Sequence, residues 1–231
     1  MQLTPDTTIL FKLGPIPINA TIAYTWLVMA LLVLVSWLVT RNLRPDTPPG
    51  RWRNALEVTV TLIAEQIEAI AEHGTRHVMY FAGTLFLFIA ASNLLVVIPG
   101  FQPPTGSLST TVALTLAVLL AVPVFGISHG GLRRYLKTLV EPSIIILPFN
   151  IIGEFSKAVS LSVRLYGNVM SGAVIAAILL GIAPFFFPVI MELFGLLIGL
   201  IQAYIFSILA TVYISAAMAS PKNSDHQEET T

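Results

Sequence analysis

Long apolar segments constrain this chain more than any other feature of its sequence. A helix needs about 20 mainly apolar residues to cross the hydrocarbon core of a bilayer, and only helices and closed barrels satisfy every backbone group there. The predicted membrane helices are 20–40, 78–98, 107–127, 149–182 and 188–219. The sequence therefore predicts an all-α membrane protein with about five transmembrane helices in a single domain over residues 1–231.

Composition excludes several classes of function. The chain is 55% hydrophobic and 10% charged, whereas a soluble domain carries about a quarter charged residues. Its 12 basic and 12 acidic residues balance, which argues against a nucleic-acid partner. There is no cysteine, the four histidines lack a zinc-binding pattern, and no glycine-rich phosphate loop is present. We therefore expect no metal, no cofactor and no catalytic centre.

Basic residues set the expected orientation. Two clusters follow the first and third predicted helices: Arg41, Arg44, Arg51 and Arg53, then Arg133, Arg134 and Lys137. Because cytoplasmic loops carry an excess of Lys and Arg, both loops are predicted to face the cytoplasm. Alternation then places an N-terminal arm, residues 1–19, outside and a polar tail, residues 220–231, in the cytoplasm.

Two parts of the chain differ from simple upright helices. Residues 55–77 mix charged and apolar side chains at helical spacing, which is typical of an amphipathic helix at the membrane interface. The segments 149–182 and 188–219 are longer than an upright helix needs, since a bilayer core is about 30 Å thick and a helix rises about 1.5 Å per residue. We predict that they form a long tilted hairpin.

Arg164 is the most informative residue, because it lies in the middle of an apolar helix. Insertion scales put an arginine at the bilayer centre at about +2.5–3.5 kcal/mol, so such a charge has a function or a partner. Asn168 and Ser171 recur on the same face at helical spacing, which indicates a water-filled cavity or a protein interface. Glu154 and Lys157 also lie on this face, and a surface ion pair and a channel role both remain open for them.

The last predicted helix carries the matching polar residues. Gln202 has the position to hydrogen-bond the guanidinium of Arg164, although a single ordinary interhelical bond is the alternative. Gly195 and Gly199 have the spacing that lets two helices approach closely, and ordinary packing accounts for them. Glu192 is the only carboxylate in the outer half of this hairpin. It either takes part in ion entry or is solvated near the turn.

Four stretches together resemble the a subunit of rotary ATP synthases. They are SNLLVVIPG at 92–100, which contains Asn93, LPFNIIGE at 147–154, SLSVRLYGN at 160–168 and IQAYIF at 201–206. The resemblance covers about two-thirds of the chain in the order of the family. The arginine–asparagine and glutamine elements are its most specific part.

The resemblance implies a static, non-catalytic ion-channel subunit of a bacterial inner membrane. Its implied partners are a ring of c subunits, a b-subunit stalk and the other ATP synthase subunits. Two half-channels would conduct protons to and from a carboxylate on each ring subunit, with Arg164 facing the ring between them. The ion-translocation residues we predict are Arg164, Asn168, Gln202, Glu192, Glu154, Ser171 and Asn93.

Physical chemistry explains why that position requires arginine. A cation within about 4–6 Å lowers the pKa of a carboxylate by about 1–3 units, so a ring carboxylate would release its ion there. Arginine itself stays protonated in proteins, so it does not relay protons between the two half-channels.

The chain departs from the family at two positions. Many members carry a glutamate or histidine nine residues after the arginine and an exchangeable partner seven residues before the glutamine. Here these positions are Ala173 and Gly195. Glu192, one turn outward of Gly195, is one candidate replacement. The other reading is that the coupling ion is sodium, since residues 168–173 weakly resemble alternative ATPase operons suspected of moving sodium.

Two other classes of protein predict features that this sequence lacks. A secondary cation transporter is expected to have internal repeats with broken helices in paired positions, and none is visible. An intramembrane hydrolase needs a Ser–His or paired-carboxylate site at membrane depth, and no histidine lies in the most apolar runs.

Overall fold

The structure is a computed structural model that describes residues 9–13, 16–41, 51–70, 75–98, 100–140, 144–182 and 187–219. Within these ranges seven helices follow one another: α1 (Ala20–Thr40), α2 (Arg51–Glu68), α3 (Thr75–Leu94), α4 (Leu108–Gly130), α5 (Leu132–Val140), α6 (Leu147–Ile182) and α7 (Phe187–Met218). Short 3-10 turns occur at Leu95–Val97, Pro104–Gly106 and Ile144–Ile146. Strands β1 (Ile9–Leu13) and β2 (Ile16–Asn19) pair antiparallel before α1.

Five of the helices are long and apolar enough to cross a membrane, which confirms the predicted fold class. Their spans are Ala20–Leu38, Arg76–Val97, Leu108–Gly130, Leu147–Gly181 and Val189–Met218. Helices α6 and α7 contain 36 and 32 residues, so the prediction of two unusually long final helices agrees with the structure. Their tilt in the bilayer stays a prediction.

Three segments differ from the sequence expectation. The predicted N-terminal arm contains the β1–β2 hairpin. The single amphipathic helix expected over residues 55–77 is instead α2, which ends at Glu68, and α3 starts at Thr75. The basic loop after α4 contains α5, whose Leu132 and Leu136 lie on one side and whose charged residues lie on the other. The predicted tail 220–231 lies outside the described residues.

Helix α7 packs against α3, α4 and α6 in the middle of the bundle. The principal core is an apolar cluster with members from α1, α3, α4, α6 and α7. It consists of Val28, Leu85, Phe88, Ile89, Ala90, Val118, Leu161, Leu165, Ala203, Phe206 and Ala210. A second cluster around Ile67 and Ile214 attaches α2 to the bundle, and the Tyr204 hydroxyl of α7 donates to Gln66 Oε1 of α2 at 2.8 Å.

The contact between α3 and α7 is close because Gly199 has no side chain. Asn93 Nδ2 of α3 donates to the Gly199 carbonyl at 3.0 Å, and a Cβ atom at Gly199 would lie 2.9 Å from Asn93 Cγ. By contrast, a Cβ atom at Gly195 would meet nothing within 4 Å. Of the two glycines at small-residue spacing, Gly199 is thus the one that permits the close approach.

Candidate functional site

Arg164 lies near the middle of α6, and its side chain points away from the bundle. Its neighbours Leu161 and Leu165 are buried in the principal core, whereas Arg164 is exposed. Across the described residues, Arg164 makes no hydrogen bond and no ion pair. A guanidinium in a membrane helix needs a counter-charge, and the described residues do not supply one.

We call the exposed surface of α6 and α7 that carries Arg164 the Arg164 face, and on α6 it also carries Lys157, Ser160 and Ser171. Large apolar side chains are also exposed along α6 and α7: Phe155, Val159, Val163, Ile178, Leu197 and Ile201. In a membrane helix, lipid covers such apolar side chains adequately but leaves the guanidinium without a counter-charge.

A cavity of about 280 Å³ lies between α3, α6, α7 and the segment that precedes α4. We call it the Glu192 cavity, since Glu192 is the only charged residue in the described part of its lining. Asn93 and Asn168 also line it, so the structure brings three of the predicted site residues together. Ala173 and Gly195 line the same cavity. Glu192 thus shares a cavity with the two positions at which many members of the family carry their polar pair.

Gln102 is a lining residue of the Glu192 cavity that sequence reasoning missed. Gln102 lies in the turn between α3 and α4. The Tyr24 hydroxyl of α1 contacts this turn, because it donates a hydrogen bond to the Gly100 carbonyl at 3.2 Å. The only signal in the sequence was a polar residue within a proline-rich turn. Such a signal does not distinguish a cavity wall from solvent-exposed polarity.

A second, much smaller crevice adjoins the N-terminal part of α6, and we call it the Glu154 crevice. Its volume is about 10 Å³, and its polar lining residues are Thr115, Glu154, Lys157 and Tyr213. Lys157 Nζ lies 2.7 Å from Glu154 Oε1 and 5.2 Å from the centre of the Tyr213 ring. The two readings of Glu154 and Lys157 are therefore compatible, because the ion pair itself borders a cavity.

The Glu154 carboxylate of this ion pair also affects the pKa of Tyr135 on α5. Burial of the phenol, and then the nearby Glu154 carboxylate, raise the pKa of Tyr135 above its usual value. Both effects disfavour a phenolate. Tyr135 therefore stays a neutral hydroxyl at physiological pH and is not a base for ion transfer at this end of the protein.

Gln202 and Ser171 are placed differently from the sequence expectation. Gln202 is only 6% exposed, and its Nε2 has no hydrogen-bond partner. The expected hydrogen bond between Gln202 and Arg164 is not formed, because Gln202 points into the bundle while Arg164 points outward. The Ser171 hydroxyl donates to the Asn168 carbonyl at 3.1 Å and is satisfied by its own helix.

Arg164 lies on α6 between the residues that line the two cavities. Arg164 follows Glu154 by ten residues and precedes Ala173 by nine, which corresponds to about 15 Å and 13 Å along a helix. One exposed, unpaired cation thus lies on α6 between the residues that line the Glu154 crevice and those that line the Glu192 cavity. This arrangement is typical of an ion-translocating membrane protein rather than of a structural anchor.

Fold and site together define a multi-pass membrane protein with an ion pathway. Comparison with known proteins specifies the class further, because the family described as ATP synthase A chain matches residues 22–215. The chain belongs to this family. Its members are the non-catalytic ion-channel subunit of the membrane sector of ATP synthase, so the resemblance seen in the sequence is confirmed.

Relatives from several bacteria match nearly the whole chain. ATP synthase subunit a 2 of Acaryochloris marina is 57% identical over 217 residues, which cover 94% of this chain and 93% of the relative. ATP synthase subunit a of Albidiferax ferrireducens is 53% identical over 222 residues, 96% of each chain. ATP synthase subunit a 1 of Chlorobaculum parvum is 52% identical over 224 residues, 97% of this chain and 99% of the relative. Other ATP synthase subunits are therefore its partners.

Proposed function

We propose that Arg164 faces a ring of c subunits and separates two half-channels to which the Glu192 cavity and the Glu154 crevice belong. The observation that carries the proposal is the position of Arg164, which is exposed and unpaired on the described surface, midway between the two cavities. Asn168 lines the Glu192 cavity one helical turn from Arg164, so that half-channel would end beside the arginine.

The electrostatics of this arrangement support a rotary mechanism. A carboxylate about 4 Å from a guanidinium gains about 4 kcal/mol at an effective dielectric constant of about 20. A ring carboxylate would therefore lose its ion as it arrives at Arg164 and take up a new one as it leaves. Only the neutral form would travel through lipid. Each charge moved across the membrane is driven by about 2.3 kcal/mol per 100 mV.

Protons are the ion we propose. Among the described residues, Glu192 is the only titratable side chain that lines the Glu192 cavity, and a carboxyl group is one of the side chains that transfer protons. The relatives are named simply as ATP synthase subunit a, and nothing in the described ranges favours sodium over protons. Sodium therefore remains the less supported alternative.

Glu192→Gln tests the entry role of this carboxylate. The variant should lower the rate of proton-driven ATP synthesis by about 10²-fold, which is the lower end of the rate contribution of a positioned acid or base. The complex should stay assembled. The measurement is ATP synthesis by vesicles carrying the assembled complex. Glu68→Gln is the matched control, since Glu68 is an exposed carboxylate on α2 away from the cavity. Unchanged synthesis in Glu192→Gln would make Glu192 an ordinary solvated side chain.

The orientation and cellular location are part of the same proposal. We infer that the chain lies in a bacterial inner membrane with its N-terminus outside and its C-terminus in the cytoplasm, where a b-subunit stalk also contacts it. The two basic clusters support this orientation, although the loop 42–50 lies outside the described residues.

Cysteine labelling tests the orientation cleanly, because the chain has no cysteine of its own. Asp46→Cys should react with a membrane-impermeant maleimide only in inverted vesicles, and Ser109→Cys at the start of α4 only in right-side-out vesicles. The reverse pattern would invert the proposed topology and exchange the sides to which the two cavities open.

The whole proposal is tested by reconstituting the complex with variants of Arg164 and measuring ion flux together with ATP synthesis. Loss of coupling on removal of the guanidinium is the expected outcome, and full coupling without it would refute the proposed role.

A further inference from the structure

Thr115 of α4 carries a buried hydroxyl that the protein does not pair. The side chain is 3% exposed, and its Oγ1 has no hydrogen-bond partner. Several helical hydroxyls of this chain donate to the carbonyl four residues earlier, as Thr84 does to Tyr80 at 2.6 Å and Ser92 does to Phe88 at 2.7 Å, whereas the hydroxyls of Thr115 and Ser215 have no partner among the described residues. An unpaired buried hydroxyl is destabilising, so the missing hydrogen bond at Thr115 needs a reason.

The Glu154 crevice supplies the room for a partner. Thr115 lines this crevice of about 10 Å³ together with Glu154, Lys157 and Tyr213. A water molecule needs about 10–15 Å³ and two to four polar partners. Because Lys157 occupies Glu154 Oε1, the other carboxylate oxygen and the remaining ammonium hydrogens have free hydrogen-bonding capacity. The crevice thus matches one water in both volume and chemistry.

Buried hydroxyls continue from Thr115 toward the level of Arg164. Thr111 lies one helical turn before Thr115 on the same face of α4, and it is fully buried. The Ser162 hydroxyl of α6 donates to Thr111 Oγ1 at 3.4 Å. Ser162 lies two residues before Arg164 in the sequence. Polar oxygens therefore line the α4–α6 interface between the crevice and the arginine.

We propose that one ordered water, held by the Thr115 hydroxyl, links the Glu154–Lys157 pair to the Thr111–Ser162 hydroxyls and completes a proton path on this side of Arg164. This inference rests on the proposed function. When the water accepts a proton from the side of the Thr111–Ser162 hydroxyls, it donates one of its own protons to the Glu154 carboxylate. Each transfer forms one O–H bond and breaks one, and the water is unchanged. Thr115 is a positioning residue that fixes the water.

The test compares variants that remove or keep the hydroxyl. Thr115→Val has nearly the same volume as threonine, Thr115→Ala gives a second hydroxyl-free variant, and Thr115→Ser keeps the hydroxyl. Passive proton flux is measured through the membrane sector in vesicles after removal of the catalytic head. We expect flux to fall about tenfold in the valine and alanine variants and to stay within about twofold of wild type in the serine variant.

A purely structural role predicts a different pattern. If no water bridges these groups, valine removes an unpaired hydroxyl, so it should raise thermal stability and leave flux unchanged. Thr110→Val, on the same helix but outside the crevice, is the matched control for an effect of the substitution itself. Wild-type flux in Thr115→Val and Thr115→Ala, or an equal loss in Thr115→Ser, would overturn the inference.

The same vesicles separate this inference from the proposed function. If Arg164→Ala uncouples the complex while the hydroxyl-free variants conduct normally, only the water at Thr115 is refuted. If Arg164→Ala keeps full coupling, the proposed function fails whatever the Thr115 variants do.

Discussion

Replacing Arg164 with alanine is expected to abolish both ATP synthesis and ATP-driven ion pumping. Among the described residues of α6, Lys157 is paired with Glu154 whereas the exposed guanidinium of Arg164 is not paired, so its removal takes away the charge that favours the ionised form of a ring carboxylate. The barrier between the half-channels also disappears, so passive ion leak should persist or increase. The measurement is simultaneous ion flux and ATP synthesis in vesicles with the assembled complex.

Arg164→Lys should not rescue coupling. Lysine keeps a charge, but it lacks the planar fork of donors and its pKa falls on burial, so it releases its proton where arginine does not. Arg133→Lys is the matched control, because Arg133 is exposed on α5 away from both cavities. Wild-type coupling in Arg164→Ala would contradict the assignment of Arg164 as the coupling charge.

Gly199→Ala is expected to have the largest effect on assembly. The new Cβ atom would lie 2.9 Å from Asn93 Cγ and 3.0 Å from Asn93 Cβ, so α3 and α7 would have to move apart. Overpacking costs about 1–3 kcal/mol, and loss of the Asn93 hydrogen bond leaves a buried amide unpaired at about 1–3 kcal/mol more. We expect a lower melting temperature of the purified complex and less complex in the membrane.

Gly195→Ala provides the control for Gly199→Ala, since it adds the same methyl group one turn earlier on α7. A Cβ atom there would meet nothing within 4 Å, so stability should stay within about 0.5 kcal/mol of wild type, as for most surface substitutions. Equal melting temperatures for the two alanine variants would show that the Asn93–Gly199 contact does not hold α3 against α7.

The membrane helices could be predicted from the sequence because their signal is local. A run of twenty or more apolar residues has few stable structures other than a membrane helix. An arginine in the middle of such a helix costs free energy wherever its partner lies. Arg164, Asn168 and Glu192 could therefore be predicted as candidate site residues without knowledge of the packing. Their functional roles follow from the family and the geometry and stay proposals until tested.

Contacts between distant helices could not be predicted in the same way. The Asn93–Gly199 hydrogen bond joins residues 106 positions apart, and its existence depends on how α3 and α7 are rotated about their axes. The rotation of each helix about its axis also turns Gln202 of α7 inward and Arg164 of α6 outward. The expected hydrogen bond between them is therefore not formed. Polarity and spacing identified both residues but did not specify which neighbour each one faces.

The short N-terminal hairpin and α5 were missed for another reason. Strands β1 and β2 contain five and four residues, and α5 contains nine. Elements this short have weak periodicity, so a proline-containing arm and a basic loop were the simplest readings of these segments. Neither element belongs to the two cavities, and the predicted site was unaffected.

Disulfide cross-linking tests the central claim, that the Arg164 face lies against the ring, most directly. Val163→Cys, next to the arginine, should form a disulfide with a cysteine placed one turn from the carboxylate of the c subunit. Leu34→Cys on α1 is the control, because Val163 and Leu34 are similarly exposed at 57% and 54%. A cross-link from position 163 and none from position 34 is the predicted result. A cross-link from position 34 with none from position 163 would place the ring on another face and contradict the account.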